Sequence, residues 1–259
     1  MVNRLMPYKV LASALSDVGL VRQNNEDYLK QLPNERFFVL ADGMGGHQAG
    51  EIASKEAVEH LCKLFMQAVA ESQSLADLQF ALFQAIQKVN DLIFRMGLTQ
   101  EGLRGMGTTL CCIYIHPDGL LYGHVGDSRI YRFRGKQVEQ LTHDHSLLRE
   151  LMDLGQINAQ QAEDFLYKNI ITRAIGTEPF VEPTVQITSL QAGDILLMCT
   201  DGLSDLLTEK EMASILTRHP EKDLAKDLVK AAKKKGGYDN VTVIVLKIQD
   251  ENEPEENIS

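Results

Sequence analysis

The spacing of apolar residues changes period several times along the chain, and each change predicts an element. Residues 10–16 and 27–32 read as strands, the second stopped by Pro33 and Asn34. Residues 37–41, Phe-Phe-Val-Leu-Ala, form an unbroken apolar run of strand length, the pattern of a strand buried on both faces. The run leads into Asp42-Gly43-Met44-Gly45-Gly46-His47, whose glycine content predicts a loop. From 51 to 65 the apolar positions Ile52, Ala53, Ala57, Val58, Leu61, Leu64 and Phe65 take helical spacing. A second stripe from 75 to 96 holds Leu78, Ala81, Leu82, Ala85, Ile86, Val89 and Ile93.

Strand spacing then returns. Residues 108–115, 120–125 and 130–133 read as a meander, with His116-Pro-Asp-Gly119 and Arg134-Gly135-Lys136 as turns. Segment 143–178 breaks the pattern. It is polar, with short helical stretches at 146–154 and 158–166, and reads as a flap leaving the sheet core. Strands at 184–188 and 194–199, helices at about 209–218 and 222–234, and a strongly β-branched strand at 241–248 complete the order. Strands, two helices, strands, two helices and a strand imply a sheet-on-sheet core with helices on its outer faces.

Composition narrows the class. The chain has 259 residues, 44% hydrophobic and 24% charged, which is ordinary for a packed protein and enough for one large core. Its formal charge of −10 argues against nucleic acid as a partner, because phosphate-backbone affinity comes from Lys and Arg. Residues 250–256 hold five acids and no base, so residues 1–249 carry −5. We read 1–249 as one domain, with a flap at about 143–178, and 250–259 as an acidic, disordered tail. Residues 1–7 lack the apolar core of a signal peptide, and no apolar run approaches the ~18 residues that span a bilayer. Cys62, Cys111, Cys112 and Cys199 include no CxxC pair, and neighbours in a strand point to opposite faces. They read as reduced, buried thiols of a cytoplasmic protein.

One chemical pattern repeats. Apolar strands run into an aspartate beside a turn former at Leu40-Ala41-Asp42-Gly43 and Cys199-Thr200-Asp201-Gly202, and Asp239-Asn240 opens the last strand. Gly126-Asp127-Ser128 lies in the meander, and Asp205 follows Asp201 by four residues. Asp-Gly is a common turn dipeptide, so a single pair carries little. Its repeated placement after buried-type strands carries more. Carboxylates that converge in a folded core demand a cation, and an all-oxygen set without thiolates selects Mg²⁺ or Mn²⁺ before Zn²⁺. The spacing of a Ca²⁺-binding helix–loop–helix is absent.

Taken in order, six groups of residues carry a resemblance. They are Ser16-Asp17-Val18-Gly19 with Arg22 to Asp27, Asp42 to His47, Gly107-Thr108-Thr109, Gly126-Asp127-Ser128-Arg129, Asp201-Gly202-Leu-Ser-Asp205 and Asp239-Asn240-Val-Thr242. They resemble the motif series of metal-dependent protein phosphatases of the 2C type, over roughly residues 10–248. The Gly-Met-Gly-Gly-His form is similar to the compact bacterial branch. The resemblance implies an α+β fold, a four-layer αββα sandwich whose two central, mostly antiparallel sheets are flanked by helix pairs, with a small flap subdomain. It also implies signalling chemistry, the hydrolysis of phosphoserine and phosphothreonine on proteins by a water activated between two Mn²⁺ or Mg²⁺ ions. Carried over, Asp42 bridges the ions, while the Gly43 carbonyl, Asp201 and Asp239 ligate them. Glu26 and Asp27 line the site partly through water, Arg22 binds the substrate phosphate, and Asp127 and Asp205 match a weaker third-ion position. Two divalent ions reverse the field of an acidic cleft, so that it attracts a phosphomonoester dianion. The partners that follow are phosphorylated proteins and an opposing serine/threonine kinase, with neither nucleic acid nor membrane; the protein is expected to be a monomer.

One departure from the family pattern stands out. Many members carry a histidine directly after the Asp-Gly, as general acid for the leaving oxygen, and Met44 holds that position here. His47, three residues on, is the nearest replacement, and a metal-bound water is the other source of the proton. His124, His143 and His145 read as strand or flap residues. Cysteine-based phosphatase chemistry is excluded, because it needs an arginine six residues after the thiol. Those positions hold Ala68, Pro117, Asp118 and Asp205. The alternative of another class is a catalytically silent phosphatase fold that binds phosphoproteins as a regulator; such a protein is expected to lose metal ligands.

Overall fold

The computed structural model describes residues 6–45, 49–72, 74–163, 165–218 and 223–251. Eleven strands among them build two sheets in which every strand pair is antiparallel. The first sheet runs β1 (Tyr8–Asp17), β11 (Val241–Asp250), β10 (Ile195–Cys199), β7 (Arg129–Arg134) and β8 (Gln137–Gln140). The second runs β2 (Asp27–Leu32), β3 (Phe37–Met44), β5 (Leu110–His116), β6 (Gly119–Val125) and β9 (Thr184–Thr188), with β4 (Gly107–Thr108) paired to the end of β3.

Period-2 alternation decides what each sheet face meets. Phe38 and Leu40 of β3 join Cys111, Ile113, Leu196, Met198, Ile244 and Leu246 in an apolar layer between the sheets. Phe37, Val39 and Ala41, with Cys112, pack the other way against α1 (Ala49–Glu71) and α2 (Leu75–Thr99). A third layer joins Leu197, Val243 and Val245 to Leu203, Met212 and Leu228 of α5 (Asp201–Ser204), α6 (Glu209–Arg218) and α7 (Leu224–Lys234). Three apolar layers between four layers of structure make the expected αββα sandwich. The adjacent Cys111 and Cys112 fall in different layers, and all four cysteines are buried thiols outside any disulfide.

Two expectations are overturned. The 108–133 region is not a meander: β5 and β6 pair within the second sheet, but β7 pairs with β8 and β10 of the first. The chain crosses between sheets at Gly126-Asp127-Ser128, which carries Asp127 to the boundary of both. Nor is Asp42-Gly43-Met44 a loop. It continues β3, because β4 supplies ladder partners, Thr108 opposite Gly43 and Gly107 opposite Met44. The last strand also runs two residues beyond its expected end, since Tyr8 of β1 pairs with Asp250.

Segment 143–178 leaves the sandwich between β8 and β9. Its helices α3 (Leu147–Asp153) and α4 (Ala159–Glu163) are short, and α3 buries none of its residues. Ser146 Oγ caps α3 by accepting from the Arg149 N–H at 3.4 Å. Single bridges, Ser146 to Ile171 and Thr108 to Ile175, tie the segment's two ends to each other and to the core.

Candidate active site

The carboxylates come from both sheets and meet at one end of the layer between them. Asp27 and Asp42 are direct ladder partners across β2 and β3. Alternation puts both on the inter-sheet face, in step with Leu29, Phe38 and Leu40. Like charges directly opposite in a ladder are destabilising, so this pairing calls for a counter-ion. From the other sheet, Asp201 follows β10 as the first residue of α5, Asp205 caps that helix, and Asp239 precedes β11. Asp127 lies in the crossing between sheets, and Glu26 immediately precedes β2.

Hydroxyls and one amide hold these positions. The Asp42 N–H donates to Thr109 Oγ1 at 2.9 Å, and its carbonyl accepts from Thr108 Oγ1 at 2.8 Å and the Thr109 N–H at 2.8 Å. Thr200 Oγ1 donates to Asp27 Oδ2 at 2.9 Å. Asn240 is the hub: its Oδ1 accepts from the Glu26 N–H at 2.8 Å, while its Nδ2 donates to Val18 O at 3.1 Å and Asn24 O at 2.9 Å. The Glu26 carbonyl accepts from the Gly43 N–H at 3.1 Å and from Ser54 Oγ at 2.6 Å.

The repeated Asp-Gly pairs therefore have a cause other than turn chemistry. Gly43 lies in a strand and Gly202 in a helix. A Cβ on Gly43 would sit 2.1 Å from the Gly50 carbonyl oxygen, and one on Gly202 1.9 Å from the Asn240 carbonyl oxygen. Each glycine lets a second backbone segment close on the site.

Electrostatics link the cluster. Desolvation, then the charges of Asp27, Asp201, Asp127 and Asp239, push the Asp42 carboxyl well above its ordinary value. Burial raises Asp27 to about 7, with Thr200 hydrogen bonding against the shift and Asp201 and Asp239 adding to it. Asp127 is likewise raised to about 7, by desolvation and then Asp201, and Asp201 to about 6, by desolvation and then Asp205 and Asp239. Glu26 and Asp205 move the same way, desolvation first. Arg22, half in solvent, donates from Nη2 to Asp239 Oδ2 at 2.8 Å.

The donors fit a hard divalent ion. They are all oxygen, they repel one another, and Asp27 Oδ1 is buried without a hydrogen-bond partner among the described residues. No three described side chains close on one point as an all-protein cage. Mg²⁺ and Mn²⁺ keep several waters, so a hydrated ion needs no such cage.

A cavity of about 120 Å³ joins the cluster to segment 143–178, lined by Asp127, Arg129, Asp201 and Asp205 on one side and Lys168 and Asn169 on the other. A wider groove of about 420 Å³, at Lys30, Glu59, Lys63 and Met66, lies away from the cluster and gathers no such set of carboxylates. Arg129 closes the cavity floor as a fork on Asp144, with Nη2 to Oδ2 at 2.6 Å and Nε to Oδ2 at 2.9 Å. The structure thus gathers Arg22, Glu26, Asp27, Asp42, Gly43, Asp127, Asp201, Asp205 and Asp239, whereas His47 lies outside the described residues. Of the other histidines, His124 and His145 stack at 4.6 Å inside the sandwich and His143 pairs with Asp153 at the surface. Sequence reasoning gave no role to Thr109, Thr200, Asn240 or Arg129. Their only signal was a place in the motifs, Thr109 in Gly107-Thr108-Thr109 and the other three within two residues of an aspartate.

Known proteins share this fold. The protein phosphatase 2C family profile matches residues 19–240. The protein phosphatase PhpP of Streptococcus pneumoniae is 39% identical over 244 residues, covering 93% of this chain and 98% of that one. The serine/threonine phosphatase Stp1 of Staphylococcus aureus superposes with a TM-score of 0.86 at 32% identity, over 94% of this chain and 97% of the other. The catalytic domain of the phosphatase PstP, solved with two manganese ions, does so with a TM-score of 0.81 at 36% identity, over 93% and 99%. With nearly the whole length matched in sequence and in fold, the chain belongs to the protein phosphatase 2C family of metal-dependent serine/threonine phosphatases.

Proposed function

We propose that this chain hydrolyses phosphoserine and phosphothreonine on proteins in a cleft whose carboxylates hold two divalent ions, Mn²⁺ or Mg²⁺. The observation that supports this most directly is the ladder pairing of Asp27 with Asp42, facing Asp201 and Asp239 from the opposite sheet, with Asp27, Asp42 and Asp201 all raised by desolvation first and then by the charge of neighbouring carboxylates. Asp42, the Gly43 carbonyl, Asp201 and Asp239 would hold the pair, Glu26 and Asp27 would act partly through water, and Asp127 with Asp205 would form a third position. Bound there, two divalent ions supply Lewis acidity, lowering the pKa of water and neutralising charge on the transferring phosphoryl group.

The chain's own groups do the rest. Arg22 offers a planar, permanently charged fork to phosphate oxygens, and its bond to Asp239 already aims it at the cleft. Asn240 fixes the loop that carries Arg22 relative to Asp239. His47 or a water returns the proton to the leaving serine or threonine oxygen. The cluster keeps every carboxylate of the set, so no observation favours a catalytically silent regulator.

The wider reading follows from the same chemistry. Residues 1–249 form one catalytic domain with a flap at about 143–178, and 250–259 form an acidic tail whose first residue closes β11. Among the described residues no helix is long and apolar enough to cross a membrane. We read the protein as a cytoplasmic monomer that opposes a serine/threonine kinase, its net charge of −10 disfavouring nucleic acid. The test is hydrolysis of a phosphothreonine peptide with Mn²⁺. EDTA, Asp42→Ala and Asp239→Ala should each abolish it, and full activity in either variant would sink the metal-site assignment.

A further inference from the structure

The loop after β1 and the turn before β11 are knotted together at the rim of the cleft. The Leu20 N–H donates to Gly237 O at 2.7 Å, the Gly19 N–H to Asp17 Oδ1 at 2.9 Å, and Lys233 Nζ to Asp17 Oδ1 at 2.8 Å. Asn240 adds its bonds to Val18 and Asn24. The two segments touch: a Cβ on Gly19 would lie 2.2 Å from the Asp239 carbonyl oxygen, and one on Gly237 3.2 Å from Leu20 Cγ. Gly236, at φ +129°, leaves the space that the Tyr238 ring occupies.

This braced backbone presents three large apolar side chains to solvent: Leu20 at 62% exposure, Val21 at 62% and Tyr238 at 64%. Single exposed apolar residues are ordinary. These three share one rim, and their position specifies an occupant. Val21 adjoins Arg22, Tyr238 adjoins Asp239, and Arg22 and Asp239 are joined at 2.8 Å. Successive residues of an extended peptide are roughly 3.4 Å apart, so a phosphate held at Arg22 puts the side chains one to three residues away over this rim. The rim's three side chains carry no formal charge to reward acidic or basic flanks. Because hydrogen bonds already fix the backbone beneath, binding requires little ordering of the protein.

Resting on the phosphatase reading above, we infer that Leu20, Val21 and Tyr238 form an apolar lip that selects phosphoprotein segments with a bulky apolar side chain next to the phosphoserine or phosphothreonine. The lip sets which phosphoproteins are preferred; the carboxylates and Arg22 act on the phosphate whatever flanks it.

The experiment compares the full chain with Mn²⁺, a Leu20→Ser/Val21→Ser double variant, Tyr238→Ser and Val21→Ile. Substrates are phosphothreonine peptides of one length, flanked by Leu, Ser or Glu, and p-nitrophenyl phosphate. Loss of the apolar contact should raise KM for the Leu-flanked peptide about tenfold in the double variant with kcat held. The Ser-flanked peptide and the small ester should keep both constants, and Val21→Ile should retain the wild-type preference. An equal KM rise for every peptide, or no preference for Leu flanks in the wild type, would overturn the lip and leave the phosphatase reading standing. Failure of the wild type to turn over any of these substrates would overturn that reading and the lip with it.

Discussion

Chelating the divalent ions should make this protein less stable as pH rises towards neutrality, and Mn²⁺ should remove that weakness. Asp27 and Asp127 titrate at about 7 and Asp201 at about 6 in the fold, against an ordinary 3.8. Between those values the native cluster holds protons that the unfolded chain has released. Unfolding then sheds protons, so stability falls with rising pH across the window from 3.8 to about 7, by ~1.4 kcal/mol per pH unit for each proton retained. The groups repel one another and titrate jointly, so one net proton is a conservative figure. Over two pH units it gives ~3 kcal/mol, which at ~2–4 °C per kcal/mol for a chain of this size lowers Tm by ~6–12 °C. Mn²⁺ at ~100 times its Kd adds ~2.7 kcal/mol, and because ions and protons compete for the same oxygens the gain grows with pH. The buried histidines contribute equally with EDTA and with Mn²⁺ and cancel in the difference between the two samples. Scanning calorimetry with EDTA or Mn²⁺ at matched ionic strength, at several values between about pH 5.5 and 7.5, measures that difference. A Tm difference that stays flat or shrinks as pH rises would refute the account of the cluster.

Two further outcomes test what surrounds the cluster. Gly202→Ala puts a methyl 1.9 Å from the Asn240 carbonyl oxygen, so backbone must move; stability should drop by ~1–3 kcal/mol or more, with activity falling too, since Asp201 and Asp239 flank the contact. Urea melts and initial rates check both, and a variant as stable and active as wild type contradicts the close-approach argument. His145 is held down to about 3, by desolvation first and then by His124, against an ordinary 6.5. The unfolded chain therefore binds the extra proton, and stability is lost as pH falls below 6.5. His145→Gln should flatten this acid limb by ~1.4 kcal/mol per pH unit, read from denaturant melts between about pH 6.5 and 4.5; parallel limbs would disprove it.

How much of this was legible before the structure depends on whether the signal is local. The run at 37–41 announced a strand buried on both faces, and Phe38 and Leu40 do face one layer while Phe37, Val39 and Ala41 face another. Sheet membership was not legible. Residues 130–133 alternate in the same way whichever sheet they join, so the crossing at Gly126 to Ser128 left no mark in the periodicity. The motif order brought the seven acids together as a set, but the opposition of Asp27 to Asp42 depends on a register set by the connection through Pro33–Glu35. The supporting groups were least visible. Asn240 reaches back 216 residues to Asn24, and Thr109 reaches 67 to Asp42, so no window of sequence shows what either one holds. The glycines after Asp42 and Asp201 were seen for the wrong reason: they answer to a neighbouring backbone, not to a turn.

The ribbon formed by β1 and β11 has a consequence for how the molecule can be handled. Asp17 pairs with Val241 at the cleft end, and Tyr8 pairs with Asp250 at the other, where the Glu251 N–H also donates to Pro7 O at 3.0 Å. Nine residue steps separate the two ends of that register, about 30 Å of extended chain. The outer ends of β1 and β11 therefore lie side by side, on the face turned away from the chemistry. A reporter or a surface tether attached beside Tyr8 or Asp250 starts that far from the reacting phosphate. The same adjacency would let Tyr8 and Asp250 be joined by a short linker and the chain reopened elsewhere, so that the order in which the elements are synthesised could change while the cleft kept its walls.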